Sequence, residues 1–119
     1  MPHRYRRTDR VEELLKEEMA RVIREEVKDP RVGFVTIMHV DVSPDLSHAR
    51  VFVSVMGEEA EKMATVEALR RASGFIRARV GDDVTLKRMP ELHFEIDRSL
   101  ERAARIEELL HQDEPPDGG

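Results

Sequence analysis

The sequence predicts an α+β domain in which helices pack on one face of a three-stranded sheet, and three observations predict it. Apolar residues recur at helical spacing near both ends of the chain and through its middle. Three short segments are instead β-branched or alternate apolar with polar residues. The resulting order is helix, strand, strand, kinked helix, strand, helix, which mixes hairpin and helical segments in the manner of an α+β layer. A chain of 119 residues supports one domain with a core of ordinary size, and excludes an enzyme with separate cofactor and substrate domains.

The first helix is expected over Thr8 to Asp29, with Val11, Leu14, Leu15, Met19, Val22, Ile23 and Val27 on its apolar face. Asp9 and Glu12 have capping-box spacing, Glu12–Lys16 and Glu17–Arg21 are favourable i,i+4 pairs, and Asp29-Pro30 marks the stop. Phe34 to Val42 and Ala49 to Val55 read as strands joined by Ser43-Pro44-Asp45-Leu46-Ser47, where Pro presets φ and Asp bonds its own backbone. After Gly57 a helical stripe runs through Met63, Val66, Leu69, Ser73, Ile76 and Val80, broken at Ala72-Ser73-Gly74 because Gly and Ser both disfavour a helix interior. Leu92, Phe94 and Ile96 alternate with Glu91, His93 and Glu95 in a third strand. Asp97 or Ser99 caps a last helix bearing Leu100, Ala103, Ile106, Leu109 and Leu110, ending near Gln112. The expected division is a basic arm over 1–7, a folded domain over 8–112 and a disordered acidic tail over 113–119.

Composition narrows the chemistry. The 25 acidic and 20 basic residues give a net charge of -5, too acidic for an indiscriminate nucleic-acid coat. The absence of Cys excludes disulfides, thiolate catalysis, iron–sulfur clusters and Cys-type zinc sites. No apolar run is long enough for a membrane span, so a soluble, cytoplasmic protein is expected.

The charge is unevenly placed. Met1–Arg10 carries +3 and Arg70–Arg88 carries +4, leaving -12 for the rest. The first cluster holds Arg4, Arg6, Arg7 and Arg10, and the second Arg70, Arg71, Arg77, Arg79, Lys87 and Arg88. A bipolar molecule of this kind presents a basic face to phosphates while its acidic face discourages non-specific spreading. The bend adds to this: Gly74 allows a phosphate backbone to approach, and the helix that follows offers unpaired N–H groups and a positive dipole end. Ser73, Gly74 and the surrounding arginines are therefore candidate anion-binding residues, and a bulky side chain at Gly74 is expected to strain the bend.

Other chemistries find less support. His3, His39, His48, His93 and His111 show neither an i,i+4 pair on a helix nor an HExxH frame, so metal ligation is not indicated. Asp45, Ser47 and His48 lie too close together in a turn to align a nucleophile with its base. No GxGxxG or Walker-type loop offers a nucleotide cradle, and no cofactor is expected. Aromatics make up 4% of the chain, and with several of the four Phe assigned to the core, recognition of backbone and shape is favoured over base stacking.

Taken in order, Asp29-Pro30-Arg31, Val35-Thr36-Ile37 with Val40, Ser43-Pro44-Asp45-Leu46-Ser47-His48-Ala49, Ala72-Ser73-Gly74-Phe75-Ile76-Arg77, and Pro90-Glu91-Leu92-His93-Phe94 with Asp97, Ser99, Ile106, Leu109 and Leu110 resemble the ribosome-binding factor A family, from the arm to about His111. The resemblance implies a type II KH-like domain whose usual GxxG loop is replaced by an Ala-x-Gly kink, here Ala72-Ser73-Gly74. It also implies a factor without catalysis that binds the immature small ribosomal subunit and its ribosomal RNA during late maturation, departs before translation, and is often linked to cold adaptation. Ala103 departs from the family, whose members often carry Gly there. The short acidic tail implies no extra RNA contacts of the kind a long basic extension would make. A monomer is expected when free. The alternative is a protein-interaction module docking through the acidic helices Glu12 to Glu26 and Glu58 to Glu67.

Overall fold

The computed structural model describes residues 8–32 and 34–112. The arm with Arg4, Arg6 and Arg7 and the tail over 113–119 lie outside the described residues. The elements run α1 (Asp9–Glu26), β1 (Val35–Val42), β2 (His48–Val55), α2 (Glu59–Arg71), α3 (Ser73–Asp83), β3 (Glu91–Ile96) and α4 (Ser99–Gln112). The strands lie in the order β1-β2-β3, with β1 antiparallel and β3 parallel to β2.

Side-chain alternation in the strands decides which face is covered. Ile37, Val40, Val42, Ala49, Val51, Val53, Leu92 and Phe94 point to one side and are buried there. Ile37 and Val40 are three apart, yet both reach the core because the register shifts at Met38, where a bulge adds one residue to β1. α1 supplies Leu15, Met19, Val22 and Ile23, α2 supplies Val66 and Leu69, and α3 supplies Ile76 and Val80. The opposite face, with Asp41, His48, Arg50, Glu91 and His93, is exposed.

α1 is fastened across β1 in a way its sequence pattern did not foretell. Thr8, not Asp9, occupies the cap position, and its side chain makes no capping bond. Glu12 Oε2 instead accepts the Val42 N–H at 2.8 Å, and Lys16 Nζ donates to Met38 O at 3.2 Å. Arg21 pairs with Glu18, Glu25, Glu26 and Asp83 rather than with Glu17. The helix stops three residues before the expected Asp29, since Val27 is already extended.

Helices α1, α2 and α3 pack on one face of the sheet as expected, and α4 stands apart from them. Leu100, Ile106, Leu109 and Leu110 are 80%, 59%, 51% and 63% exposed, and no α4 residue is buried. Its first turn is tied to α2 by Arg98–Glu59 and Lys62–Glu101 ion pairs. α1, α2 and α3 already cover the apolar face of the sheet, and the other face is charged, so neither offers α4's apolar stripe a surface to cover.

Candidate nucleic-acid interface

The bend between α2 and α3 is centred on Ala72, whose φ of -87° and ψ of 0° interrupt two otherwise regular helices. The Ala72 N–H still reaches Ala68 O at 3.0 Å and its carbonyl accepts from Ile76 N at 2.9 Å, so hydrogen bonding carries through the turn. Gly74 lies inside α3 without a positive φ, and a Cβ built on it meets nothing within 4 Å. The expected strain from a side chain at Gly74 is therefore not supported by the geometry. The chain itself does not need Gly there, and the space beside its Cα faces outward.

The arginines of the second basic cluster separate onto two flanks of α3. On the flank beside the edge strand β3, Arg70 Nε donates to Phe94 O at 3.2 Å, while Arg77 donates through Nε to Pro90 O at 3.0 Å and through Nη2 to Met89 O at 2.6 Å. Arg70 thus occupies a carbonyl of an edge strand that would otherwise stand open to pairing and keeps its remaining N–H groups for other acceptors, while Arg77 holds the two carbonyls just ahead of that strand. On the flank beside α1, Arg79 Nε donates to Glu26 Oε1 at 2.7 Å and its Nη1 lies 3.5 Å from Asp82. Arg79 is thus neutralised by acids of the fold. Arg71 and Lys87 are exposed and make no hydrogen bond or ion pair among the described residues, and Arg88 acts on the fold only through its field at Asp45.

Composition did not reveal where the phenylalanines lie. Of the four Phe residues only Phe94 is buried, and Phe75, next to Gly74, is 47% exposed. The assignment of several Phe to the core is corrected accordingly: Phe75 falls on the outer side of α3, one residue short of the Ile76–Val80 stripe that carries the burial. Phe52, on the open face of the sheet, is covered by His39 with ring centroids 4.3 Å apart and by the Arg50 guanidinium 4.9 Å from its centroid, so it offers no free platform.

The hairpin turn is also accounted for. Asp45 Oδ1 accepts from Ser47 Oγ at 2.6 Å, Ser43 Oγ at 2.8 Å and Ser47 N at 3.1 Å. These bonds hold the Asp45 carboxyl far below the usual carboxylate range and engage the Ser47 hydroxyl in the turn rather than with His48. On the open face, Arg50 donates to Glu95 through Nε at 2.8 Å and Nη2 at 2.9 Å, which lowers the Glu95 pKa against the opposing effect of partial burial. No helix among the described residues is long and apolar enough to cross a membrane.

Comparison with known proteins agrees with this architecture. The family model described as ribosome-binding factor A matches residues 7–110. Among curated relatives, ribosome-binding factor A of Halothermothrix orenii is 51% identical over 104 residues, covering 87% of this chain and 85% of its own. That of Thermomicrobium roseum is 47% identical over 106 residues, covering 89% and 82%. The crystal structure of ribosome-binding factor A from Thermus thermophilus superposes with a TM-score of 0.69 at 30% identity, covering 80% of this chain and all of that one. A Thermus thermophilus homology model fitted into the cryo-EM map of a 30S–RbfA complex gives a TM-score of 0.60 at 32% identity, covering 71% and 89%. The α+β, KH-like arrangement expected from the sequence is thus shared with solved relatives, and this chain belongs to the ribosome-binding factor A family.

Proposed function

We propose that this chain binds the small ribosomal subunit during its assembly, holding ribosomal RNA against the bend between α2 and α3 without catalysing a reaction. The observation that carries the reading is the division of cations around α3. Arg79 faces acids of α1, whereas Arg71, three residues before a Gly with open space over its Cα, and Lys87 and Arg88, in the loop that follows α3, are exposed with no hydrogen bond or ion pair among the described residues. Phosphates supply affinity at such a surface, and the shape of the RNA supplies selectivity. Phe75 adds an exposed ring on which an unpaired base stacks. The Thermus relative fitted to a 30S complex supports the choice of partner. Arg4, Arg6 and Arg7 extend the same role into the arm, Arg70 combines phosphate binding with closure of the β3 edge, and Arg77 combines it with a hold on the segment before β3.

Binding of this kind changes RNA folding only through a difference in affinity between two RNA arrangements, about 1.4 kcal/mol for each tenfold preference. The test is co-sedimentation with purified small subunits across a salt series. Replacing Arg71, Lys87 and Arg88 together with Ala weakens binding and lowers the salt slope by about one for each phosphate that is no longer neutralised. Arg79→Ala leaves that slope unchanged. Full affinity and slope in the triple variant would favour docking through the acidic helices instead, although Glu18, Glu25 and Glu26 of α1 already serve Arg21 and Arg79.

A further inference from the structure

The parallel pairing of β2 with β3 brings together three side chains far apart in the sequence. His48 stands opposite Glu91 and Arg50 opposite His93, so His48, Glu91 and His93 share the open face of the sheet. His48 Nδ1 lies 3.0 Å from His93 Nε2 and 3.9 Å from Glu91 Oε2, and one ligand atom from each of the three residues falls within 4.8 Å of the others. The two rings are tilted by 42° rather than stacked, which lets their nitrogens converge on a common point.

We propose that His48, Glu91 and His93 form a zinc site at the β2–β3 edge, with His48 Nδ1, His93 Nε2 and a Glu91 carboxylate oxygen as ligands and the fourth position open to solvent. Zinc–ligand bonds of about 2.0–2.2 Å at tetrahedral angles put neighbouring ligand atoms roughly 3.3–3.5 Å apart. Two of the three separations, 3.0 Å and 3.9 Å, bracket that spacing and all three lie within 4.8 Å, so side-chain rotations bring the ligand atoms around one ion. Two imidazoles and one carboxylate favour zinc over magnesium or calcium, which prefer all-oxygen shells. Both imidazoles bind as neutral rings with the proton on the other nitrogen.

The backbone beneath the ligands is held by its own hydrogen bonds. Ser43 N donates to His48 O at 2.9 Å, His48 N to Ser43 Oγ at 3.0 Å, and Glu91 N to Ser47 O at 2.9 Å. Asp45 closes the same turn, so binding a metal orders little that is not already ordered. Arg50, the nearest cation along β2, is matched by Glu95 and opposes a dication only weakly. The site does not depend on the RNA-binding reading.

Titration of the full chain with zinc in competition with a chromophoric chelator tests the proposal. One zinc per chain is expected. Removing a residue that only orients a metal ligand typically costs about 10–100-fold in affinity, so His48→Gln or His93→Gln, each removing a ligand itself, weakens binding by roughly tenfold or more. Glu91→Gln weakens it as well, while His3→Gln and His111→Gln leave it unchanged. Zinc also raises the thermal midpoint of the parent chain but not of the His48 or His93 variants, whose exposed substitutions leave the fold intact. The proposal is overturned if the parent chain binds no zinc, if binding survives both ligand substitutions, or if His3→Gln or His111→Gln abolishes it.

Discussion

α1 and α4 both carry apolar residues at helical spacing, yet α1 buries Leu15, Met19 and Val22 completely while α4 buries nothing. The contrast lies in what stands opposite each helix. α1 runs over β1 with Glu12 and Lys16 bonded to Val42 and Met38, which turns its stripe onto Ile37 and Val40. α4 leaves the end of β3 after two residues, when three other helices already cover the apolar face. An amphipathic pattern states that a helix has a face to cover; it does not state that the domain holds a cover for it.

The largest expected effect is in α1. Met19→Ala costs about 2–5 kcal/mol in denaturant unfolding, because the cavity opens in a fully packed layer. Next, Glu12→Ala costs about 1–3 kcal/mol by leaving the Val42 N–H without its acceptor, and unfolding at two salt concentrations separates this from general charge effects. Gly74→Ala acts in the opposite direction: it stabilises the free protein by about 0.5–1 kcal/mol, since the helix gains propensity and the added methyl meets nothing. If the same variant binds small subunits as well as its parent, Gly74 does not touch the RNA. Leu110→Ala changes stability by less than about 0.5 kcal/mol. A cost comparable to that of Met19→Ala would show that α4 is covered in solution and erase the contrast.

The smallest effect is local and pH-dependent. Asp97 Oδ1 accepts from Ser99 Oγ at 2.6 Å and from Ser99 N at 2.9 Å, and these bonds hold the Asp97 carboxyl below its usual range. Its folded pKa lies below the unfolded value of about 3.9. Its contribution is therefore complete above that value and lost as pH falls through the folded pKa. Below about pH 4 the first turn of α4 frays while α1 keeps its amide protection, and hydrogen exchange followed residue by residue reports both.

Much of this was legible in the residues. Alternation placed Val51, Val53, Leu92 and Phe94 on the inner face, and the Ser-Pro-Asp turn and the break at Ala72 stand where local chemistry put them. The candidate site was legible only in part. The segment 70–88 is basic as a stretch of sequence, but Arg79 faces Glu26, Arg77 the carbonyls before β3, and Phe75 the outside. An arginine's sequence neighbours do not reveal which acid or carbonyl another element will bring within reach. His48 and His93 do not read as a pair for the same reason, being 45 residues apart until a parallel register joins them.

By itself, then, the sequence determined the elements, their order and the inner face of each strand, because backbone propensity and side-chain period act over a few residues. The tertiary structure alone decided which cations stay unpaired, which apolar stripe goes uncovered and which histidines meet. Those outcomes depend on distances between segments, and no local pattern contains them.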